Sequence, residues 1–426
     1  MYTRPRVAGM TLLGFSAGLP FLLVFSTLSG WLRDVGIERS VIGFFSWVGI
    51  TYSIKVLWAP VVDRVAFPVL TRLLGKRRGW MLAAQLGIAA GLAGMAFTDP
   101  MTNISQIAWF ALLVAFSSAT QDITIDAYRI EAMDPDYQGA MAATYVLGYR
   151  IALLAAGAGA FYVAEYFSWQ TAYLSMAALV GVGVLATLIM AEPEHRPPSK
   201  TRSSSAHGAR SRTDQILNAI RESVIEPFTD FFARNGRTAI WILALISVYK
   251  LSDITMGVMA NPFYLDLGFS KTEIADVTKI FGFFMTIGGT ALGGVLVMRY
   301  GIARPLVLGA ALVALTNLLF AWLASIEPNI ALLALVVSAD NLSGGIATAV
   351  FIAYLSSLTN QAYTATQYAL FSSLMTLPAK FMGGFSGMIV DAEGYVIFFT
   401  YAAILGLPAI ILTAALMNTA NGAKRG

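Results

Sequence analysis

An all-α polytopic membrane protein of twelve helices, in two six-helix pseudo-symmetric halves around a central cavity, is the fold class this sequence predicts. Three observations predict it. Of 426 residues, 57% are hydrophobic and 12% charged, against roughly 45–50% and 25% in a soluble domain. The apolar residues form twelve continuous runs, long enough to cross a bilayer core of about 30 Å as helices, and not the alternating strands of a membrane barrel. The second half of the chain also repeats the first.

The first run, 8–32, exceeds a signal-peptide core and has no convincing cleavage site, so it stays as a helix. Five more follow at 40–62, 79–98, 105–128, 138–164 and 169–191. The remaining six fall at 239–264, 272–298, 304–325, 329–358, 365–390 and 395–418. Orientation follows from the cations. The N-terminus, the 2–3, 4–5, 6–7 and 8–9 loops and the C-terminus hold 20 of the 28 Lys and Arg, and the opposite loops hold only Arg33, Arg39 and Lys271. The positive-inside rule therefore places both termini in the cytoplasm. It also accounts for a pI near 9.1 without nucleic acid.

Residues 192–238 divide the chain into an N-terminal half (1–191) and a C-terminal half (239–426). The stretch opens as a polar linker through His195 and Ser203. From Asp214 to Phe232 the spacing of Ile216, Ile220 and Ile225 predicts an amphipathic helix on the cytoplasmic surface. Across the divide, WLRDVGIERSVIG at 31–43 aligns without gaps on FYLDLGFSKTEIA at 263–275. Asp34 falls on Asp266, Gly36 on Gly268 and Arg39 on Lys271, at a constant offset of 232. Two repeated six-helix halves with basic loops and a cytoplasmic linker make the architecture of a major facilitator transporter.

Composition also excludes chemistry. There is no cysteine, and the two histidines, His195 and His207, share one polar stretch. Disulfides, thiolate metal sites and intramembrane haem or zinc–histidine sites are therefore not expected, and no cofactor or metal is predicted. What remains is ionisable groups inside helices, each costing at least ~2.5–3.5 kcal/mol on insertion scales. In the fourth helix, Asp122, Asp126 and Arg129 lie at i, i+4 and i+7 on one face. Two carboxylates one turn apart suit proton coupling, with a structural Asp126–Arg129 pair as the rival reading. In the seventh helix Lys250 is expected to face the cavity, and its neighbour Asp253 to be structural. The empty carrier is expected to pair Lys250 with Asp122, Asp126 or Asp253.

Arg150 and Lys380, from corresponding helices of the two halves, are candidate ligands for an anionic substrate, although Asp340 is available to neutralise Lys380. Asp340 and Asn341 occupy the repeat position of Gln121 and Asp122 and suggest a polar cavity lining, with helix-to-helix hydrogen bonds as the alternative. Tyr128 and Tyr354 are candidates for stacking on sugar rings, though aromatics equally serve packing. Asp63 and Arg64 are expected at a loop gate, and Lys55 and Lys279 to snorkel to the interface without function. Gly14, Gly18, Gly148, Gly157, Gly159, Gly383, Gly384 and Gly387 are expected to permit close packing or bending.

Several blocks resemble one family. LGFSAGLPFLLVFSTLSGWLRDVGI from Leu13, SIKVLWAPVVDR from Ser53, GKRRGWML from Gly75 and SATQDITIDAYRIE from Ser118 are similar to the AmpG muropeptide permeases. So are VYKLSDITMGVMANPFYLDLGF from Val248 and VSADNLSGGI from Val337, and the resemblance covers nearly the whole chain. It implies a proton-coupled symporter of the Gram-negative inner membrane. Such a carrier imports anhydro-muropeptides (disaccharide–peptide wall fragments) for peptidoglycan recycling, with an indirect part in β-lactamase induction. A carrier for another bulky anion or glycoside, acetyl-CoA among them, is the alternative within transport. A membrane-embedded glycosyltransferase is the alternative as an enzyme, against which the short periplasmic loops offer no clustered acids, nucleophile or metal ligands. A receptor or sensor is a third class, not expected because these residues include no soluble output domain. No covalent chemistry is expected; the partners are the bilayer and a small molecule, the chain acting as a monomer.

Overall fold

The computed structural model describes residues 4–67, 69–133, 137–193, 226–358 and 364–422. Ten stretches of the described residues are helices long and apolar enough to cross a membrane. The helical stretches are numbered in chain order. They are α1 (Pro5–Asp34), α2 (39–64), α3 (Lys76–Ala96), α4 (Ile104–Ala132), α5 (138–166) and α6 (Trp169–Ile189), then α7 (Thr238–Asp266), α8 (Lys271–Tyr300), α9 (Ala303–Leu323) and α10 (Ile330–Leu358). The chain closes with α11 (Thr364–Gly383, continued by 386–393) and α12 (395–422), which meet at Gly394, where a φ of 79° turns the chain. The two expected spans outside the ten are α2 and the first part of α11; α2 is helical in five short pieces.

Local chemistry sets the ends and bends. Ser168 caps α6 by accepting from the Thr171 amide at 3.1 Å, and Ser270 with Glu273 forms a capping box at the start of α8. Pro20 inside α1 has no N–H, so the carbonyl of Ser16 loses its helical donor. In a bilayer that oxygen needs a substitute, and the Gln121 side chain of α4 donates to it at 2.9 Å. Helix α7 breaks at Lys250, between Thr238–Tyr249 and Leu251–Asp266. Wider π-helical turns interrupt α5 at Ala155–Gly159 and α8 at Ala275–Phe281.

The sequence repeat reappears in the packing. In the first half α1 lies on α5 and α6, and α3 on α4 and α6; in the second, α7 lies on α11 and α12, and α9 on α10 and α12. The halves meet through α2 against α11, α5 against α8, and the far ends of α1 and α7. Among the described residues these extensive contacts run from mid-bundle to the end away from the termini. Of the surface helix expected at Asp214–Phe232, Ile216, Ile220 and Ile225 lie outside the described residues; its end falls in the helix Glu226–Asn235, whose Phe231 is buried against Phe371 of α11. This part is thus docked on the second half.

Small residues make the tightest seam. A Cβ on Gly148 would fall 1.8 Å from the Thr11 carbonyl oxygen, and one on Gly14 would fall 2.0 Å from that of Tyr145. The α1–α5 backbones therefore approach closely only because glycine stands there. Replacing Gly148 by Val is expected to destabilise by about 1–3 kcal/mol or more through overpacking. Gly181→Ala, where nothing lies within 4 Å, should be neutral. Thermal unfolding of the two variants in detergent checks this, and equal melting temperatures would refute it.

Candidate functional site

The two copies of the repeated turn face each other at the end of the bundle away from the termini. Arg39 Nε lies 2.8 Å from Asp266 Oδ2, and Lys271 Nζ lies 3.1 Å from Asp34 Oδ2. The pairs are repeat equivalents exchanged across the pseudo-two-fold: each half gives its cation to the other half's aspartate. Arg33 (2.5 Å) and the Tyr395 hydroxyl (2.5 Å) also reach Asp266; Arg39 further contacts Asp391, and Lys271 contacts Glu165. Trp169 donates to Asp34 at 2.7 Å, which fixes the carboxylate from inside its own half. One step deeper, the Asn261 amide of α7 donates to the Ser26 carbonyl of α1, and the Tyr162 hydroxyl of α5 to Asp276 of α8.

Below this latch lie the ionisable groups of the spans. Asp122 of α4 is partly buried and has Lys55 Nζ at 3.6 Å from Oδ2, while its Oδ1 has no hydrogen-bond partner. A buried polar atom without a partner is uncommon and costly. Two buried hydroxyls, Ser118 one turn earlier on α4 and Tyr52 on α2, face each other beside the Lys55–Asp122 contact. Asp126 is exposed and meets Arg129 at 3.5 Å, the pair expected as the structural reading.

In the second half, buried Lys250 sits at the break of α7 and donates to Asp253 at 2.7 Å and to Thr348 of α10 at 2.8 Å. Of the three aspartates expected to hold it, its own neighbour does. Asp340 accepts from Thr316 of α9 at 3.2 Å, and Asn341 accepts from Thr286 of α8 at 2.8 Å. Lys380 of α11 does not pair with Asp340. It crosses to α2, donating to the Gly49 carbonyl at 2.8 Å and to Ser53 at 3.1 Å. Tyr354 is partly exposed beside Phe351, and Arg150 of α5 is exposed.

Several expectations change. Gln121 is fully buried, holding the Ser16 carbonyl and accepting from the Ser16 hydroxyl at 2.8 Å, so in this state it joins helices and does not line a cavity. Tyr128 is fully buried too, its hydroxyl donating to the Ala191 carbonyl at 2.9 Å. The side chains of Asp63 and Arg64 lie outside the described residues. Lys55 and Lys279 do not snorkel: Lys55 meets Asp122, and Lys279 donates to Asn261 at 2.9 Å with Phe161 of the other half 5.7 Å away. Both lysines lie in irregular turns of α2 and α8, which their nearness to the helix ends in the sequence does not reveal. At the end of the bundle near the termini, Glu192 accepts from the Arg77 and Arg78 amides at the start of α3, a carboxylate at a helix N-terminus. Arg77 is also paired with Glu131 of α4 at 2.6 Å.

The exchanged pairs predict charge-swap rescue. Arg39→Asp and Asp266→Arg singly should open the latch, and together they should restore it. Because the chain has no cysteine, one introduced at Leu22 beneath the latch reports opening through a membrane-impermeant thiol reagent. Labelling that rises in both single variants and falls in the double is expected, and unchanged labelling in the single variants would refute the latch.

The comparisons agree with this geometry. A model of the Major Facilitator Superfamily matches residues 10–379. The chain is 35% identical over 415 residues to the anhydromuropeptide permease of Escherichia coli strain K12, covering 97% of this chain and 80% of that one. It is 33% identical over 410 residues to the putative transporter AmpG 4 of Rickettsia conorii, covering 96% and 95%. Among solved structures, it superposes on a D-xylose–proton symporter with a TM-score of 0.68 at 12% identity, over 96% of this chain and 95% of that one. It superposes on the nucleoside transporter NupG with a TM-score of 0.67 at 17% identity, over 97% and 99%. At these identities the structures share a fold, while the permease relatives share sequence along the whole chain. Twofold-repeated helices, a latch exchanged between halves and this continuous likeness have one explanation: the chain is a multi-pass membrane transporter of the major facilitator superfamily, and belongs to its AmpG permease family.

Proposed function

We propose that this protein imports anhydro-muropeptides from periplasm to cytoplasm by proton-coupled alternating access, for reuse of cell-wall fragments. The substrate class comes from the whole-length likeness to the Escherichia coli anhydromuropeptide permease. The excess of Lys and Arg beside the termini supports cytoplasmic termini in a bacterial inner membrane. The latch then faces the periplasm, and the conformation with both halves joined there is the cytoplasm-facing state. The carrier needs no cofactor and acts as a monomer on a small-molecule substrate.

The observation that carries the coupling is Asp122: one oxygen rests on Lys55 and the other has no partner within the protein. A carboxyl group so placed can take up a proton and exchange its partner as the halves move. A proton moving down the gradient supplies about 2.3 kcal/mol per 100 mV, enough for roughly fifty-fold accumulation of a neutral solute. Lys250 and Arg150 come from different halves, and an anionic substrate engaging both would favour the closed arrangement over the open ones. Asp340, Asn341 and Tyr354 complete the polar lining on the second half.

Uptake of labelled anhydro-muropeptide into proteoliposomes, with and without a pH gradient, tests the reading. Asp122→Asn is expected to abolish gradient-driven accumulation while keeping exchange of pre-loaded substrate, and wild-type accumulation by this variant would defeat the coupling role. Asp126→Asn should be milder, since Arg129 already faces that carboxylate. Lys250→Arg is expected to lose most uptake, because a planar guanidinium does not replace a compact ammonium held between Asp253 and Thr348. Uptake within twofold of wild type would remove Lys250 from the mechanism.

A further inference from the structure

Two intramembrane lysines of the second half have no carboxylate partner among the described residues, and they occupy related places. Ion pairs within 4 Å account for Lys55 with Asp122 and Lys250 with Asp253, and for neither Lys279 nor Lys380. Each instead contacts neutral oxygens: Lys279 the Asn261 amide oxygen, Lys380 the Gly49 carbonyl and the Ser53 hydroxyl. Each ammonium also stands over an aromatic ring of the first half, Lys279 at 5.7 Å from Phe161 and Lys380 at 5.9 Å from Tyr52. Lys279 lies in the α5–α8 seam and Lys380 in the α2–α11 seam, the two seams that the pseudo-two-fold exchanges. The carboxylate nearest Lys279 along its own helix, Asp276, is taken by Tyr162. The stem of Lys279 runs beside Gly157 of α5, whose would-be Cβ lies 3.6 Å from Lys279 Cδ, an ordinary van der Waals contact.

We propose that Lys279 and Lys380 are paired seats for two acidic groups of the substrate, filled when the latch is open and withdrawn from the substrate when it closes. The reasoning is electrostatic. A cation in a low-dielectric seam gains more from a carboxylate than from neutral carbonyl and hydroxyl oxygens. When the halves part at the latch, Tyr52, Gly49 and Ser53 leave Lys380 and Phe161 leaves Lys279, so Lys380 loses its oxygens and Lys279 keeps only the Asn261 amide oxygen of its own half, both on the side from which substrate arrives. A ligand carrying two carboxylates satisfies both. On closure the first half returns its oxygens to Lys380 and one ring to each lysine, and the ligand's hold on them weakens as its exit opens. This is the differential affinity between states that directional transport needs. The proposal rests on the anionic-substrate reading above and deepens it, naming a substrate with at least two acidic groups and the residues that count them.

Two measurements separate this inference from that reading. The first involves no substrate: a membrane-impermeant amine-reactive reagent is applied from the latch side and modified lysines are counted by mass spectrometry. Lys279 and Lys380 should be protected in the wild type and labelled in the latch-opening variant Asp266→Arg. Protection of both in that variant, with the Leu22→Cys reporter confirming opening, overturns the proposal. The second compares uptake of an anhydro-muropeptide with a tripeptide stem against the same compound with its carboxylates amidated. Lys279→Gln and Lys380→Gln are each expected to raise KM about tenfold for the acidic ligand and less than twofold for the amidated one. Equal changes for both ligands, or none, overturn it. Absence of muropeptide uptake by the wild type would instead defeat the proposed function, leaving the labelling result to stand.

Discussion

Closure of the end away from the termini depends on one exchange: the cation of each repeated turn bonds the aspartate of the other turn. Arg39–Asp266 and Lys271–Asp34 are the two halves of a single isologous contact. Partly exposed ion pairs of this kind are worth about 0.2–1 kcal/mol each. Five such pairs, with the hydroxyl and indole bonds around them, hold the latch by a few kcal/mol. That is the same order as one proton crossing a membrane potential of about 100 mV. A latch built from deeply buried pairs would cost several kcal/mol more to break one-sidedly, and the cycle would stall. Weakness at the rim is thus compatible with turnover.

Inside the spans the governing constraint is satisfaction of polar atoms without water. Pro20 leaves the Ser16 carbonyl bare, and Gln121 supplies the donor. The Lys250 ammonium is met by Asp253 and Thr348. Against this background Asp122 is the carboxylate that carries a buried oxygen without a partner among the described residues. The groups with complete partners hold the helices in place, whereas a group with a free valence can change partners as the halves move.

Several of these groups sit where a helix is irregular. Lys55 follows the interruption of α2 at Ile54, Lys250 stands at the break of α7, and Lys279 lies within the π-helical turn of α8. Such turns leave backbone groups outside the regular ladder and redirect side chains by a fraction of a turn. They also let a span bend, and these charge-bearing residues lie at such turns. The α5 turn at Ala155–Gly159 packs against the α8 turn, so the two irregularities share one seam between the halves.

The sequence by itself determined the membrane class, the helical runs, the division into repeated halves and the resemblance to AmpG permeases, because each follows from composition or periodicity. Asp34, Arg39, Asp266 and Lys271 were visible there as aligned repeats, and the Asp126–Arg129 pair as helix neighbours. Only the tertiary structure decided that those repeats bond crosswise, since no local pattern states which turn meets which. It also decided partners that depend on helix irregularity. Gln121 went to a carbonyl bared by a proline 101 residues earlier in the chain, and Lys55 to Asp122. Lys279 and Lys380 went to neutral oxygens and rings beside the other half. A straight-helix reading assigns a side chain to a face by counting residues at 100° each. A π-helical turn, a broken helix or a proline resets that count, and the packing of distant spans then settles which partner the charge meets.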